Sequence, residues 1–144
     1  MKLSTRTRYG IRALLELAEN TGDSPLQIKV IGKKQDISIK YLEQLMSSLK
    51  GGGFVRSLCG SKGGYLLAKE AKDIKLIDVF NCLEGPFVTV ECLADKSLCS
   101  RTSDCVTRKV WFKVQRAVNE VLESMSLQDL VEQAKEQREL NYQI

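Results

Sequence analysis

Apolar positions fall at helical spacing in six stretches of the chain and form short β-prone runs in one place only. Ile11, Leu14, Leu15, Leu17 and Ala18 share one face of a helix predicted from about Thr7 to Asn20, stopped by Thr21-Gly22-Asp23. Ser24-Pro25-Leu26-Gln27 reads as an N-cap, a proline at the first helical position and a capping-box Gln. The helix so begun runs to about Lys34, with a start that can fall two residues later, and buries Leu26, Ile31 and one of Ile28 and Val30. Gln35-Asp36-Ile37 makes a tight turn, and Ser38 caps a third helix from Ile39 to Lys50. Leu42, Leu45, Met46 and Leu49 take one side of it, Lys40, Glu43, Gln44 and Ser47 the other, and Gly51-Gly52-Gly53 ends it. Two helices joined by a tight turn, the second with a polar outer face, form the helix-turn-helix pattern.

The β-prone runs follow directly. Phe54-Val55-Arg56-Ser57-Leu58 and Tyr65-Leu66-Leu67-Ala68 flank a glycine-rich tip, Cys59-Gly60-Ser61-Lys62-Gly63-Gly64. A hairpin placed after a helix-turn-helix is a wing, and Arg56, Ser61, Lys62 and Gly63 are its candidates for touching a ligand. A fourth helix runs from about Leu76 to Glu84 and ends at Gly85-Pro86. Phe87 to about Thr107 lacks periodicity, and a long helix then extends to Ser124. In that helix Trp111, Val114, Val118, Val121 and Met125 repeat with the spacing of a helix–helix seam, while Val110, Ala117 and Leu122 widen it into a second strip. One strip is expected to pack on the N-terminal helices and the other on a second copy of the chain. Ser126-Leu127-Gln128-Asp129 caps a last helix with Leu130, Val131 and Ala134 inward and Glu132, Gln133, Glu136 and Glu139 outward.

The predicted fold is therefore mostly α with a small β-hairpin: a winged helix-turn-helix domain plus a long C-terminal dimerisation helix. Residues 1–85 make the DNA-binding unit, 86–106 a cysteine-bearing loop, and 107–144 the dimerisation helix and the C-terminal helix.

Charge sharpens this picture. The chain of 144 residues carries a formal +4, but residues 1–65 hold eleven Lys and Arg against five acidic residues, a net +6. Positive charge gathered on the winged unit suits a polyanion, because each cation placed at a phosphate releases condensed counterions. Zero histidines remove every imidazole-based mechanism, the Ser–His–Asp triad and all His-ligated metals. No paired carboxylates or phosphate-binding glycine motif stand in their place, so an enzyme is not expected. No apolar run approaches membrane-spanning length and no secretory signal is visible, which points to the cytoplasm, where thiols stay reduced.

Of the five cysteines, Cys92, Cys99 and Cys105 are spaced C-x6-C-x5-C in a polar, turn-rich segment that ends at a helix start. The helix start, Lys96, Arg101 and Arg108 all favour thiolates there. The spacing is wrong for zinc fingers or ribbons, and on spacing alone a metal or cluster site and unliganded or redox-active thiols both stand. Cys82, among Val79, Phe80 and Leu83, reads as a core thiol, and Cys59 at the wing tip as an exposed one.

Ser4-Thr5 with Arg8-Tyr9-Gly10, Ile39-x-Tyr41-Leu42-Glu43-Gln44-Leu45, Gly63-Gly64-Tyr65-Leu66-Leu67 and Leu83-Glu84-Gly85-Pro86 together resemble the IscR family of winged-helix regulators. That family includes the nitric-oxide sensor NsrR and the cysteine-metabolism regulator CymR. The resemblance covers essentially the whole chain. It implies a homodimeric repressor of cluster-assembly genes that binds a two-fold double-stranded DNA operator and senses a [2Fe–2S] iron–sulfur cluster held by Cys92, Cys99 and Cys105. It also implies that the helix from Ile39 enters the major groove, where Glu43 shapes sequence choice, and that the wing reaches the minor groove. A carboxylate at Glu43 can accept from cytosine N4, and Gln44 suits adenine. Ser38, Lys40 and Tyr41 suit phosphates or nearby base edges.

Two departures stand out. Where the family carries a ligating histidine after the last cysteine this chain has Arg108, and where some relatives ligate from an acidic residue in the first helix it has Arg8. The fourth ligand stays open among Asp104, Glu91, Thr107, an acid of a second subunit, and an exogenous thiol or water. Cys59 stands where family wings carry an arginine, leaving Lys62 or Arg56 to compensate. The alternative expectation is a regulator of cysteine or sulfur metabolism, without a stable cluster, that responds to thiol oxidation, nitric oxide or a partner protein.

Overall fold

The computed structural model describes residues 2–20 and 22–143. Helix α1 (Thr5–Glu19) begins at Ser4, whose hydroxyl accepts from the Thr7 N–H. A side-chain cap and not the first apolar residue sets the boundary, so the helix starts before the predicted Thr7. Ala13, Leu14 and Leu17 are buried together with Thr7 and Gly10, while Ile11, Leu15 and Ala18 line the edge of the core. At the other end Asn20 caps the helix; of the predicted stop, Thr21 lies outside the described residues.

Helix α2 (Ile28–Gln35) corrects the capping expectation. Ser24 does not cap it; Gln27 occupies the N-cap with no side-chain bond. The reason is tertiary. Leu26 and Tyr65 exchange N–H to C=O bonds in both directions at 2.9 Å, so the Leu26 backbone is extended and committed to the hairpin. Asp36, in the left-handed region at φ 54° and ψ 50°, then turns the chain into α3 (Ile39–Gly51). Ser38 caps α3 by accepting from the Tyr41 N–H at 3.2 Å.

Strands β1 (Val55–Leu58) and β2 (Gly64–Leu67) pair antiparallel, Val55 opposite Leu67 and Leu58 opposite Gly64. The bond to Leu26 adds a third, one-residue rung, and it requires glycine at position 64: a Cβ there would lie 2.5 Å from the Leu26 carbonyl oxygen. Helix α4 (Leu76–Glu84) matches its prediction, and the aperiodic segment after it holds a short helix α5 (Glu91–Ala94) and a 3-10 turn over Lys96–Leu98. Helix α6 (Val106–Ser124) follows, then α7 (Leu127–Tyr142), begun by the predicted capping box between Ser126 and Asp129.

Leu14, Ile31, Leu42, Leu45, Met46, Leu49, Ile74, Val79 and Leu127 are fully buried where α1 to α4 and the start of α7 meet. Each such side chain is worth about 2 kcal/mol of burial against about 1 kcal/mol for a helix cap, so the core holds the winged unit and the caps trim its ends.

The long helix departs from expectation. No residue of α6 is buried, and it packs against α4, not on the N-terminal helices. That place belongs to α7, which packs along α1. The cause is a backbone bridge: the Leu76 N–H donates to Met125 O at 2.9 Å and the Leu127 N–H to Ile74 O at 2.8 Å. The turn between α6 and α7 is thereby pinned beside the start of α4, which delivers Leu127 to the core and leaves α6 projecting. No helix among the described residues is long and apolar enough to cross a membrane.

Candidate nucleic-acid interface and cysteine segment

Helix α3 presents one polar face because its opposite face is anchored. Leu42, Leu45, Met46 and Leu49 are all fully buried, which turns Lys40, Glu43, Gln44 and Ser47 outward and exposed. Ser38 is exposed at the helix start and Tyr41 half-buried beside it, its ring edge-on to Tyr9 of α1 at 6.0 Å. The face therefore carries a cation, a carboxylate, an amide and hydroxyls along about two turns, a set able to contact both base edges and phosphates.

The wing stands alongside. Lys50 in the last turn of α3 donates from Nζ to Ser57 Oγ of β1 at 2.8 Å, joining helix and hairpin. Ser61 and Lys62 are exposed at the tip, with Gly63 half-buried behind them. Arg56 is not brought to the same side. Strand alternation directs it away from Ser57, into a groove lined also by Asn20, Asp23, Leu66 and Lys69. In sequence Lys50 does not stand out, because a lysine in a last helical turn looks like an ordinary dipole partner. Cys59 is exposed as expected, and Cys82 is half-buried, its thiol donating to Ser48 O of α3 at 3.5 Å.

The three spaced cysteines lie on short elements after α4: Cys92 in α5, Cys99 after the 3-10 turn, and Cys105 at the N-cap of α6. Cys99 is exposed and the other two are half-buried. A hydrogen-bond contact with the Thr107 hydroxyl at 3.2 Å lowers the Cys105 pKa; the Arg108 backbone N–H and the Arg101 charge act the same way. Asp95 is held as a carboxylate by the hydroxyl and N–H of Ser97, at 2.7 and 2.9 Å, which tightens the turn between Cys92 and Cys99. Arg108 donates from Nη2 to Cys92 O at 3.3 Å, and its Nε is buried with no partner among the described residues.

The Rrf2 family model, described as an iron-dependent transcriptional regulator, matches residues 3–133. The chain belongs to the Rrf2 family. It is 41% identical over 134 residues to the protein rrf2 of Nitratidesulfovibrio vulgaris strain Hildenborough, covering 93% of this chain and 89% of that one. It superposes on the structure of CymR, the global cysteine regulator of Bacillus subtilis, with a TM-score of 0.78 at 39% identity, over 92% of this chain and 97% of that one. The structure of IscR from T. potens matches as well, at TM-score 0.78 and 38% identity, over 94% and 90% of the two chains. The Rrf2 fold is a winged helix, so α2 and α3 are the helix-turn-helix and β1 and β2 the wing. Rrf2 relatives, CymR and IscR among them, are named as HTH-type transcriptional regulators, which places this chain among DNA-binding transcription regulators.

For an Rrf2 protein the cysteine segment raises the question of a cluster. The donor chemistry fits in kind at three positions, since Cys92, Cys99 and Cys105 are soft thiol donors and Cys105 is biased toward thiolate. The arrangement does not fit. Among the described residues no three Cys, Asp or Glu side chains stand close enough to hold a metal ion, and the Arg108 guanidinium lies against the segment at Cys92 O.

Proposed function

We propose that this Rrf2-family chain is a homodimeric repressor that reads a two-fold double-stranded operator. The carrying observation is the outward polar face of α3, held by four fully buried side chains on its other side. On this reading Glu43 and Gln44 meet base edges in the major groove, Ser38, Lys40, Tyr41 and Ser47 meet phosphates or adjacent bases, and Ser61, Lys62 and Gly63 at the wing tip approach the minor groove. Arg56, on the far face of β1, would reach a phosphate only by swinging around the strand.

The dimer reading is supported by α6. Val110, Trp111, Phe112, Val114 and Val121 are between 37% and 58% exposed on one projecting helix, and Trp111 and Val114 also line a cleft of about 480 Å³ with Phe80, Pro86 and Phe87. A second copy of the same helix would remove this surface from water and space two recognition helices for two half-sites.

The sensing element on this reading is the segment of Cys92, Cys99 and Cys105, with an iron–sulfur cluster as the sensed group and cluster-assembly genes as the targets. A cluster would supply electron-transfer chemistry and reactivity toward oxidants. The thiols are not gathered, so binding requires residues 91–105 to rearrange; α5 and the 3-10 turn there are four and three residues long and bury none of their residues. The ungathered thiols and the likeness to the cysteine regulator CymR favour a second reading, in which the same segment responds to thiol oxidation, nitric oxide or a partner protein.

Anaerobic incubation with iron and sulfide separates the two. The cluster reading expects visible charge-transfer absorption that Cys92→Ala, Cys99→Ala and Cys105→Ala each abolish. A colourless wild type whose operator affinity still changes with peroxide or nitric oxide sinks that reading and supports the second. For the DNA face, Lys40→Ala should reduce the slope of log affinity against log salt by about one.

A further inference from the structure

The edge of α1 beside the recognition helix carries a second cluster of donors that the helix-turn-helix does not include. Thr5 Oγ1 and Tyr41 Oη lie 3.4 Å apart at the surface, so one acceptor atom can sit against both hydroxyls. Arg8 stands on the same side of α1 as Thr5, one turn on, with its guanidinium carbon 5.9 Å from the Tyr9 ring. Tyr9 in turn packs edge-on against Tyr41, so a single aromatic ring props both the arginine and the tyrosine.

Arg12 makes the contrast. It also lies over Tyr9, at 5.1 Å, but it is held by Gln35 through bonds of 2.7 and 2.6 Å, and Gln35 is anchored by Glu16. The Arg8 side chain is exposed and, unlike its backbone N–H, which donates to Ser4 O, it has no hydrogen bond or ion pair among the described residues. No acidic residue occupies the first turn of α1, and the Glu16 carboxylate is engaged by Gln35 and Lys34. A guanidinium and two hydroxyls thus share this edge of α1, and the carboxylate beside it, Glu84, is engaged by the Ser4 N–H and hydroxyl, so the set matches the oxygens of one phosphodiester.

We infer that Arg8, Thr5 and Tyr41 form a phosphate clamp that grips the operator backbone at the start of α3, making α1 part of the DNA surface. This rests on the operator-binding reading above. Its chemistry is charge neutralisation and not base reading, so it adds affinity for any duplex and orients α3 in the groove.

Fluorescence anisotropy with operator and scrambled duplexes across a salt series tests it. Arg8→Ala should weaken both duplexes equally, on the order of tenfold at 0.1 M salt, and flatten the salt slope by about 0.9. Arg8→Lys should keep the slope. Thr5→Val and Tyr41→Phe should each lower affinity with the slope unchanged, and the double variant should lose less than the sum. Arg8→Ala with unchanged slope, or with loss confined to the operator, overturns the clamp while leaving operator binding intact. A wild type that binds no duplex overturns the parent reading instead. Circular dichroism melts check that each variant, at exposed Thr5 and Arg8 and half-buried Tyr41, folds.

Discussion

Cys105 stands where three influences coincide: the Thr107 hydroxyl, the first N–H groups of α6 and the Arg101 charge all favour its thiolate. A lowered pKa means that thiolate is present at a pH where an ordinary thiol is still protonated. Iodoacetamide labelling of Cys105, followed by mass spectrometry, should therefore reach half its limiting rate below the ordinary thiol value of 9.0, and Thr107→Val should move it upward. A wild-type midpoint at or above that value would remove the hydroxyl from the account. Sequence showed the cysteines and their basic neighbours, because charge and spacing are one-dimensional. It did not show Arg108 tied to Cys92 O, because that contact depends on how α5 folds back toward α6, whereas the Cys105–Thr107 contact is local to the first turn of α6.

Elements here are joined by a few polar ties at positions that look unremarkable in sequence. Arg6 donates from Nε to Leu83 O at 2.8 Å and from Nη2 to Ser48 Oγ at 2.7 Å, linking α1 to both α4 and the recognition helix. Ser4 meets Glu84 next to it. Hydrogen bonds from a charged donor are worth about 1.5–3 kcal/mol each, and Arg6 is partly exposed, so Arg6→Ala should lower the urea-unfolding free energy by about 2 kcal/mol. Arg6→Lys, able to reach one acceptor, should fall between. The wing offers a sharper case. Gly64→Ala should push Leu26 from β2, speeding amide exchange at Leu26 and Tyr65 and costing about 2 kcal/mol in thermal or urea melts, whereas unchanged protection at both amides would contradict the close approach. Local sequence misplaces the α2 start for the same reason. Ser24 and Gln27 satisfy a capping rule locally, but Tyr65 claims the Leu26 backbone from a distance of many residues along the chain.

At the scale of the molecule, the winged unit and α7 close one core, and α6 is left outside it with apolar side chains uncovered. If a second copy covers them, Val110→Glu and Val121→Glu should each shift the sedimenting species from dimer to monomer. Operator affinity should then fall about 10²-fold, because one half-site no longer holds its partner at high effective concentration. A variant that stays dimeric with full affinity would place the interface elsewhere. The seam of Trp111, Val114, Val118, Val121 and Met125 was legible as an apolar stripe; which surface it faces was not, since a stripe states only that something must cover it.

Much of this protein is decided by local pattern. Buried and exposed faces of α3, its Ser38 cap, the bounds of α4 and the Ser126–Asp129 capping box all follow from residues within a turn or two of each other, where period and hydrogen-bond reach act along the chain. The tertiary structure alone decided the rest. It paired Leu26 with Tyr65, bridged Lys75 to Ser126 so that α7 and not α6 lies on α1, and set Thr5 and Arg8 beside Tyr41. Those outcomes depend on backbone groups and side chains competing across long sequence separations, and no local spacing records which partner wins.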